Sequence, residues 1–212
     1  LNGHSLGQCT MRFADYCEWN VSFSPGNLTA VALSETGAVL SSDTRLSPGA
    51  PTAVALSIDA PSLATGTGEA LFADGQDVAL VRASLVDQSG RLCSAASHNV
   101  SFSVVSGPGR VVGVGNGDPF SHEPNAGSSR LAYHGLARVV VQVTVDTASE
   151  GHVRATMIDV DAVSAHVVED IVVVASAPGL REGRVTIPVS ASASDSVLAV
   201  ARRSVEADIQ LP

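Results

Sequence analysis

Residues Leu71 to Pro119 read LFADGQDVALVRASLVDQSGRLCSAASHNVSFSVVSGPGRVVGVGNGDP. Short runs in this stretch alternate apolar and polar side chains, and Asp-Gly, Ser-Gly, Gly-Pro-Gly and Asn-Gly punctuate them. A period of two is what a half-buried strand requires, and Gly or Asn supplies the positive φ of a tight turn. The stretch therefore predicts a meander in an all-β, immunoglobulin-like sandwich. Asn116-Gly117 is read as one of its positive-φ turns.

The pattern continues outward. Ala53 to Ile58, Val78 to Val86, Val100 to Val105 and Val111 to Val114 are predicted strands. Ala137 to Val145, Val153 to Met157, Ile171 to Ala175 and Val185 to Val189 follow. Upstream, Asn2-Gly3 offers a hairpin turn, Trp19 to Phe23 and Leu28 to Leu33 alternate, and Ala38 to Leu40 follow a turn at Ser34 to Gly37. Ser47-Pro48-Gly49-Ala50-Pro51 is the boundary candidate, because proline fixes φ and removes a strand donor. This divides the chain into three parts: 1–47, the C-terminal part of one immunoglobulin-like domain; 48–190, a complete sandwich; and 191–212, a linker or short helix. The chain opens at Leu1 in mid-pattern and is read as part of a longer one.

Composition agrees with the sandwich and removes several functions. Of the 212 residues 45% are hydrophobic but only 4% aromatic, so the core must be Val, Ala, Leu and Ile. The net charge is −9 and every basic residue is arginine. An acidic chain without a basic stripe lacks the phosphate neutralisation that dominates nucleic-acid affinity, so no nucleic-acid partner is expected. Without lysine there is no Schiff-base nucleophile and no Walker-type loop. No apolar run approaches the ~20 residues of a membrane helix, and no membrane partner is expected. Cys9, Cys17 and Cys93 are read as separate buried thiols, with a Cys9–Cys17 bridge as the alternative. Asn20-Val-Ser, Asn27-Leu-Thr and Asn99-Val-Ser have the form of glycosylation acceptors. Chance produces such tripeptides in Ser/Thr-rich chains, so they lean towards a secreted or extracytoplasmic protein without fixing the compartment.

Several constellations invite a sharper reading. Gly3-His4-Ser5-Leu6-Gly7 matches the nucleophile elbow G-x-S-x-G, but that motif works only between a strand and a helix, and neither is predicted there. The glycines at 107, 109, 113, 115 and 117 lack the helix that a dinucleotide fingerprint opens. Retaining glycosidases need two carboxyls about 5 Å apart; Asp59, Asp118 and Glu123 are available, yet nothing in the sequence pairs them. Asp159-Val160-Asp161 with Glu169-Asp170 could offer hard oxygen ligands to calcium, but solvated acids have the same pattern. No metal, no cofactor and no catalytic residue is assigned. Trp19 is read as core rather than as a sugar platform. Asn116, Asp118 and His122 lie in the longest polar loop and are the candidate substrate contacts.

Asn2-Gly3-His4-Ser5-Leu6-Gly7, Trp19-Asn20-Val21 and Pro25-Gly26-Asn27-Leu28 resemble a run in β-galactosidase-like family 2 glycoside hydrolases that closes an immunoglobulin-like domain. Ala73-Asp74-Gly75-Gln76-Asp77, Asp87-Gln88-Ser89-Gly90, Gly107-Pro108-Gly109, Gly115-Asn116-Gly117-Asp118 and His134-Gly135-Leu136-Ala137 resemble the next C-terminal sandwich of those enzymes. The resemblance covers residues 1–189. It departs from the family between Asp146 and Glu169, where the stretch is longer than the usual turn. It implies a non-catalytic accessory region whose partner is the catalytic barrel of the same full-length chain, with carbohydrate as a second partner. The family's catalytic glutamates lie in that barrel and match no position here. The Ala-Asp-Gly…Asp-x-x-Gly pattern also resembles invasin-like bacterial immunoglobulin repeats. That alternative leaves the N-terminal Asn-Gly…Trp…Pro-Gly run unexplained.

Overall fold

The computed structural model describes residues 1–59, 70–144 and 168–190. The predicted strand at Val153 to Met157, the acids Asp159 and Asp161, and the predicted linker or helix at 191–212 lie outside the described residues. The chain forms two compact units, Leu1–Gly49 and Ala50–Pro212.

In the first unit, the carbonyl of Leu1 accepts a hydrogen bond from His4 N at 3.0 Å. Asn2 and Gly3 between them have φ of 53° and 84°, the paired left-handed residues of a primed turn. Asn2 N donates to Asn27 O at 2.7 Å. Its side chain accepts from Asn27 N at 2.7 Å and donates to Pro25 O at 3.0 Å. Asn2-Gly3 and Pro25-Gly26-Asn27 are thus one device. Gly26 must lack a Cβ, which would collide with the Asn2 carboxamide. Strands β1 (Asn27–Leu33) and β2 (Val39–Leu46) then pair antiparallel. All residues of both strands are exposed.

Two expectations fail in this unit. Trp19 to Phe23 forms no strand, since alternation sets which face a residue takes but cannot supply a partner edge. Trp19 is 44% exposed rather than core. Cys9 and Cys17 are joined in a disulfide, their Cα atoms 6.3 Å apart, so the separate-thiol reading holds only for Cys93, which is buried. A separation of eight residues closes a loop readily but does not show whether the two Cβ vectors face each other.

The second unit carries β3 (Ala53–Ile58), β4 (Leu71–Phe72), β5 (Val78–Val86), β6 (Asn99–Ser106), β7 (Gly109–Gly115) and β8 (Ser129–Leu131). After these come β9 (Leu136–Val143), β10 (Ile171–Ser176), β11 (Gly183–Ile187) and β12 (Val189–Ser190). One sheet has the order β3-β5-β9-β7 and the other β11-β10-β6-β8, and their ladders are antiparallel. No helix occurs among the described residues. Alternation is carried through the register: Ala79, Val81, Ala83 and Leu85 of β5 are buried, as are Val139 and Val141 of β9 and Ile171, Val173 and Ala175 of β10. Fully burying one such Val, Leu or Ile contributes about 1.5–3 kcal/mol. Phe102 is the aromatic member of this core, as the low aromatic content requires.

The predicted strand at Val185 to Val189 is two elements. Pro188 has no N–H to continue the ladder, so β11 stops at Ile187 and β12 pairs parallel with β4. Between β6 and β7, Gly107 turns with φ +83°. Within β7 the register against β9 shifts between Val111 and Gly113, a bulge that leaves Val112 without an opposing residue.

Candidate functional site

Beyond the end of β7 the chain runs through a long loop before returning as β8, and side chains of the loop fold it. Asn116 Oδ1 accepts from Asp118 N at 3.1 Å, while its Nδ2 donates to Leu131 O at 2.8 Å. Asp118 Oδ1 accepts from Phe120 N at 2.9 Å, and the Asp118 carbonyl accepts from Ser121 N at 3.3 Å. Pro119, with its φ already fixed, sits at the second position of this turn. The tight turn is therefore at Asp118 to Ser121. Asn116-Gly117 is not a positive-φ turn, because neither residue has positive φ. A Cβ on Gly117 would meet only an ordinary contact, 3.8 Å from the Tyr133 ring. The Asn116 side chain takes the role that a left-handed backbone would have played.

Beneath the loop lies Arg130, the inward residue of β8 and only 4% exposed. Its Nη1 donates to Glu123 O at 2.8 Å, to Pro124 O at 3.4 Å and to Asn125 Oδ1 at 3.3 Å. Its Nε stands 3.5 Å from Glu123 Oε2 without hydrogen-bond geometry. Glu123 in turn accepts from Leu131 N at 3.4 Å and from Ser121 Oγ at 3.3 Å. A buried charge is tolerated when it is paired and hydrogen-bonded, and here the acceptors for Nη1 and the carboxylate beside Nε come from the loop itself. One guanidinium thus fixes residues 123–125 against the sandwich.

This arrangement borders a shallow, open recess of ≈ 350 Å³, within the volume range of small-ligand clefts. Asn116, Asp118 and His122, the three candidate contacts, all line it, together with Ser97, Ser121 and Glu123. Leu131, Ala132 and Tyr133 form its apolar side. The His122 imidazole has no hydrogen-bond partner among the described residues. Two features escaped the sequence reading. Tyr133 supplies a ring beside the polar groups, and Arg130 braces the loop. The signal for the latter was an arginine at the inward position of Ser129-Arg130-Leu131.

The other tempting residues have separate positions. Asp59 bridges Arg82 at 3.1 Å and Arg138 at 2.6 Å, two arginines directly opposite each other in the β5–β9 register. The carboxylate relieves that like-charge pair. Glu169 accepts from Ser106 Oγ, and Asp170 accepts from Val189 N at 3.1 Å. Ser5 is exposed and its hydroxyl accepts from Gly7 N at 3.2 Å, which makes it part of a turn. Backbone N–H groups of Gln76 and Asp77 hold the Asp74 carboxyl below its ordinary range. Burial, then the charge of Asp87, pushes the Cys93 thiol up.

Residues 63–166 match the family described as glycoside hydrolase family 2 C-terminal domain 5. The sandwich is a family 2 glycoside hydrolase C-terminal domain. This family 2 region is 34% identical over 124 residues to the beta-galactosidase BoGH2A of Bacteroides ovatus, across 58% of this chain and 13% of that enzyme. In structure it is similar to a family 2 glycosyl hydrolase of Bacteroides cellulosilyticus, with TM-score 0.61 and 26% identity over 81% of this chain and 18% of the other. A beta-glycosidase of Bacteroides vulgatus shares the fold, with TM-score 0.55 and 23% identity over 81% of this chain and 18% of the other. The chain thus spans less than a fifth of these relatives. The likeness runs to glycosidases and does not favour the invasin-like alternative.

Proposed function

We propose that this family 2 region is a non-catalytic accessory part of a β-galactosidase-like glycoside hydrolase. It buttresses the catalytic barrel of the same full-length chain and contacts carbohydrate through the recess beside β8. The observation that carries the reading is the convergence of Asn116, Asp118 and His122 on one recess with Tyr133 at its edge. Hydroxyl-rich ligands need such a mixture: amide, carboxylate and imidazole groups for the hydroxyls, and a ring for the C–H face.

Chemistry is assigned elsewhere because both carboxylates of the recess are tied into the loop, Glu123 through both oxygens and Asp118 through Oδ1, which leaves no free pair. Asp118 caps the turn, and Glu123 ties Ser121, Leu131 and Arg130 together. Hydrolysis with retention needs one carboxyl free to attack and another free to exchange a proton. The test is turnover of an aryl β-galactoside by the purified chain. No release above the uncatalysed rate is expected. Turnover that survives purification and vanishes in Glu123→Gln or Asp118→Asn would overturn the non-catalytic assignment.

A further inference from the structure

The recess has a definite charge character. Its lining residues include two carboxylates, Asp118 and Glu123, and no arginine; the chain offers no lysine to reach in from elsewhere. The cation beside it is Arg130, which is 4% exposed and faces three loop acceptors and the Glu123 carboxylate. A guanidinium so enclosed cannot turn to a ligand without releasing the loop. Glu123 is the residue that Arg130 offsets, which leaves the Asp118 charge uncompensated. Of its two oxygens, Oδ1 is taken by Phe120 N, and Oδ2 has no partner among the described residues.

From this we propose that the recess takes neutral saccharides and rejects uronic, sulfated or otherwise anionic ones. The inference rests on the reading of the recess as a carbohydrate contact and adds the class of sugar to it. Asp118 Oδ2 accepts from a sugar hydroxyl, a charge-assisted bond stronger than a neutral one. A sugar carboxylate in the same place brings two like charges together with no accessible arginine or lysine to offset them. At the partly solvated dielectric of a surface cleft that repulsion is worth about tenfold or more in affinity.

The test uses two probes that differ only at C6, methyl β-D-galactoside and methyl β-D-galacturonide, titrated against the full chain at pH 8 and followed by NMR. The variant is Asp118→Asn, which keeps the oxygen that accepts from Phe120 N and so keeps the turn. The galactoside is expected to bind about tenfold or more tightly than the galacturonide, with the gap narrowing in Asp118→Asn. An unchanged proton spectrum of the variant shows that it is folded. Equal binding of the two probes, or a gap that Asp118→Asn leaves untouched, would overturn the neutral-sugar inference while leaving the carbohydrate contact standing. Failure of both probes to move the Asn116, Asp118 and His122 signals would overturn the carbohydrate reading itself, and this inference with it.

Discussion

Gly107→Ala is expected to be among the most damaging single-methyl additions in the sandwich. Gly107 has φ +83°, and an added Cβ would be driven into the carbonyl oxygen of Asp170, with Asp170 C and Ile171 Cα each 2.7 Å away. These are backbone atoms at the start of β10, so no side chain can swing aside. The left-handed conformation alone costs an alanine about 1–2 kcal/mol. Pushing apart a packed core adds about 1–3 kcal/mol, here by displacing Ile171, whose side chain is fully buried. A total near 3–4 kcal/mol corresponds to a fall in Tm of roughly 10 °C for a chain of this size. Gly90→Ala is the control, since Gly90 has φ +77° but nothing within 4 Å of its added Cβ. It should show only the conformational cost, a fall of about 3 °C. Thermal and urea unfolding followed by circular dichroism are the suitable assays, because the single tryptophan, Trp19, lies outside the sandwich. Equal shifts for the two variants would refute the collision and with it the seating of the β6–β7 turn on β10.

Other expectations follow from the same packing. Arg130→Met strips a buried donor from Glu123 O, Pro124 O and Asn125 Oδ1. It should cost about 2–4 kcal/mol in urea unfolding, and NMR signals of the 121–125 loop should collapse towards random-coil positions. Cys93 is buried with its thiol pushed up by that burial, so iodoacetamide at pH 8 should leave it unlabelled until the chain unfolds. With Cys9 and Cys17 bridged, mass spectrometry should then count one label without reductant. The Asp74 carboxyl is held low by Gln76 N and Asp77 N. Its contribution is therefore complete above its unfolded value and is lost as pH falls below about 4. Asp74→Asn should flatten the stability profile by lowering stability at neutral pH, where the carboxylate's contribution is complete, and should differ little from the parent at the acid end of that window, as read by urea midpoints at each pH.

The sandwich was legible because burial and sequence share one period. Val78 to Val86 and Ile171 to Ala175 alternate, and the register places their apolar sets on the inner faces. What stayed hidden involves partners that no local pattern specifies. Strands β4 and β8 are two and three residues long, too short for a period to show, and β8 carries an arginine where a core residue is expected. Trp19 to Phe23 has the alternation of a strand but no edge to pair with. In the site, Asn116, Asp118 and His122 were legible as polar residues of one long loop, though the turn was misplaced by three residues. The reason is that the Asn116 side chain reaches across to Leu131 O, a contact fifteen residues away in sequence. Tyr133, which lines the recess, and Arg130, which braces its loop, come from beyond the loop in sequence and were hidden for the same reason.

The most direct test of the account is a map of backbone amide shifts in the full chain on titration with β-1,4-galactobiose. The account predicts saturable shifts centred on Asn116, Asp118, His122 and Tyr133, with Arg82 and Arg138 on the other sheet unmoved. Shifts that gather elsewhere on the chain, or none at any sugar concentration, would contradict the claim that this recess is where the domain meets carbohydrate.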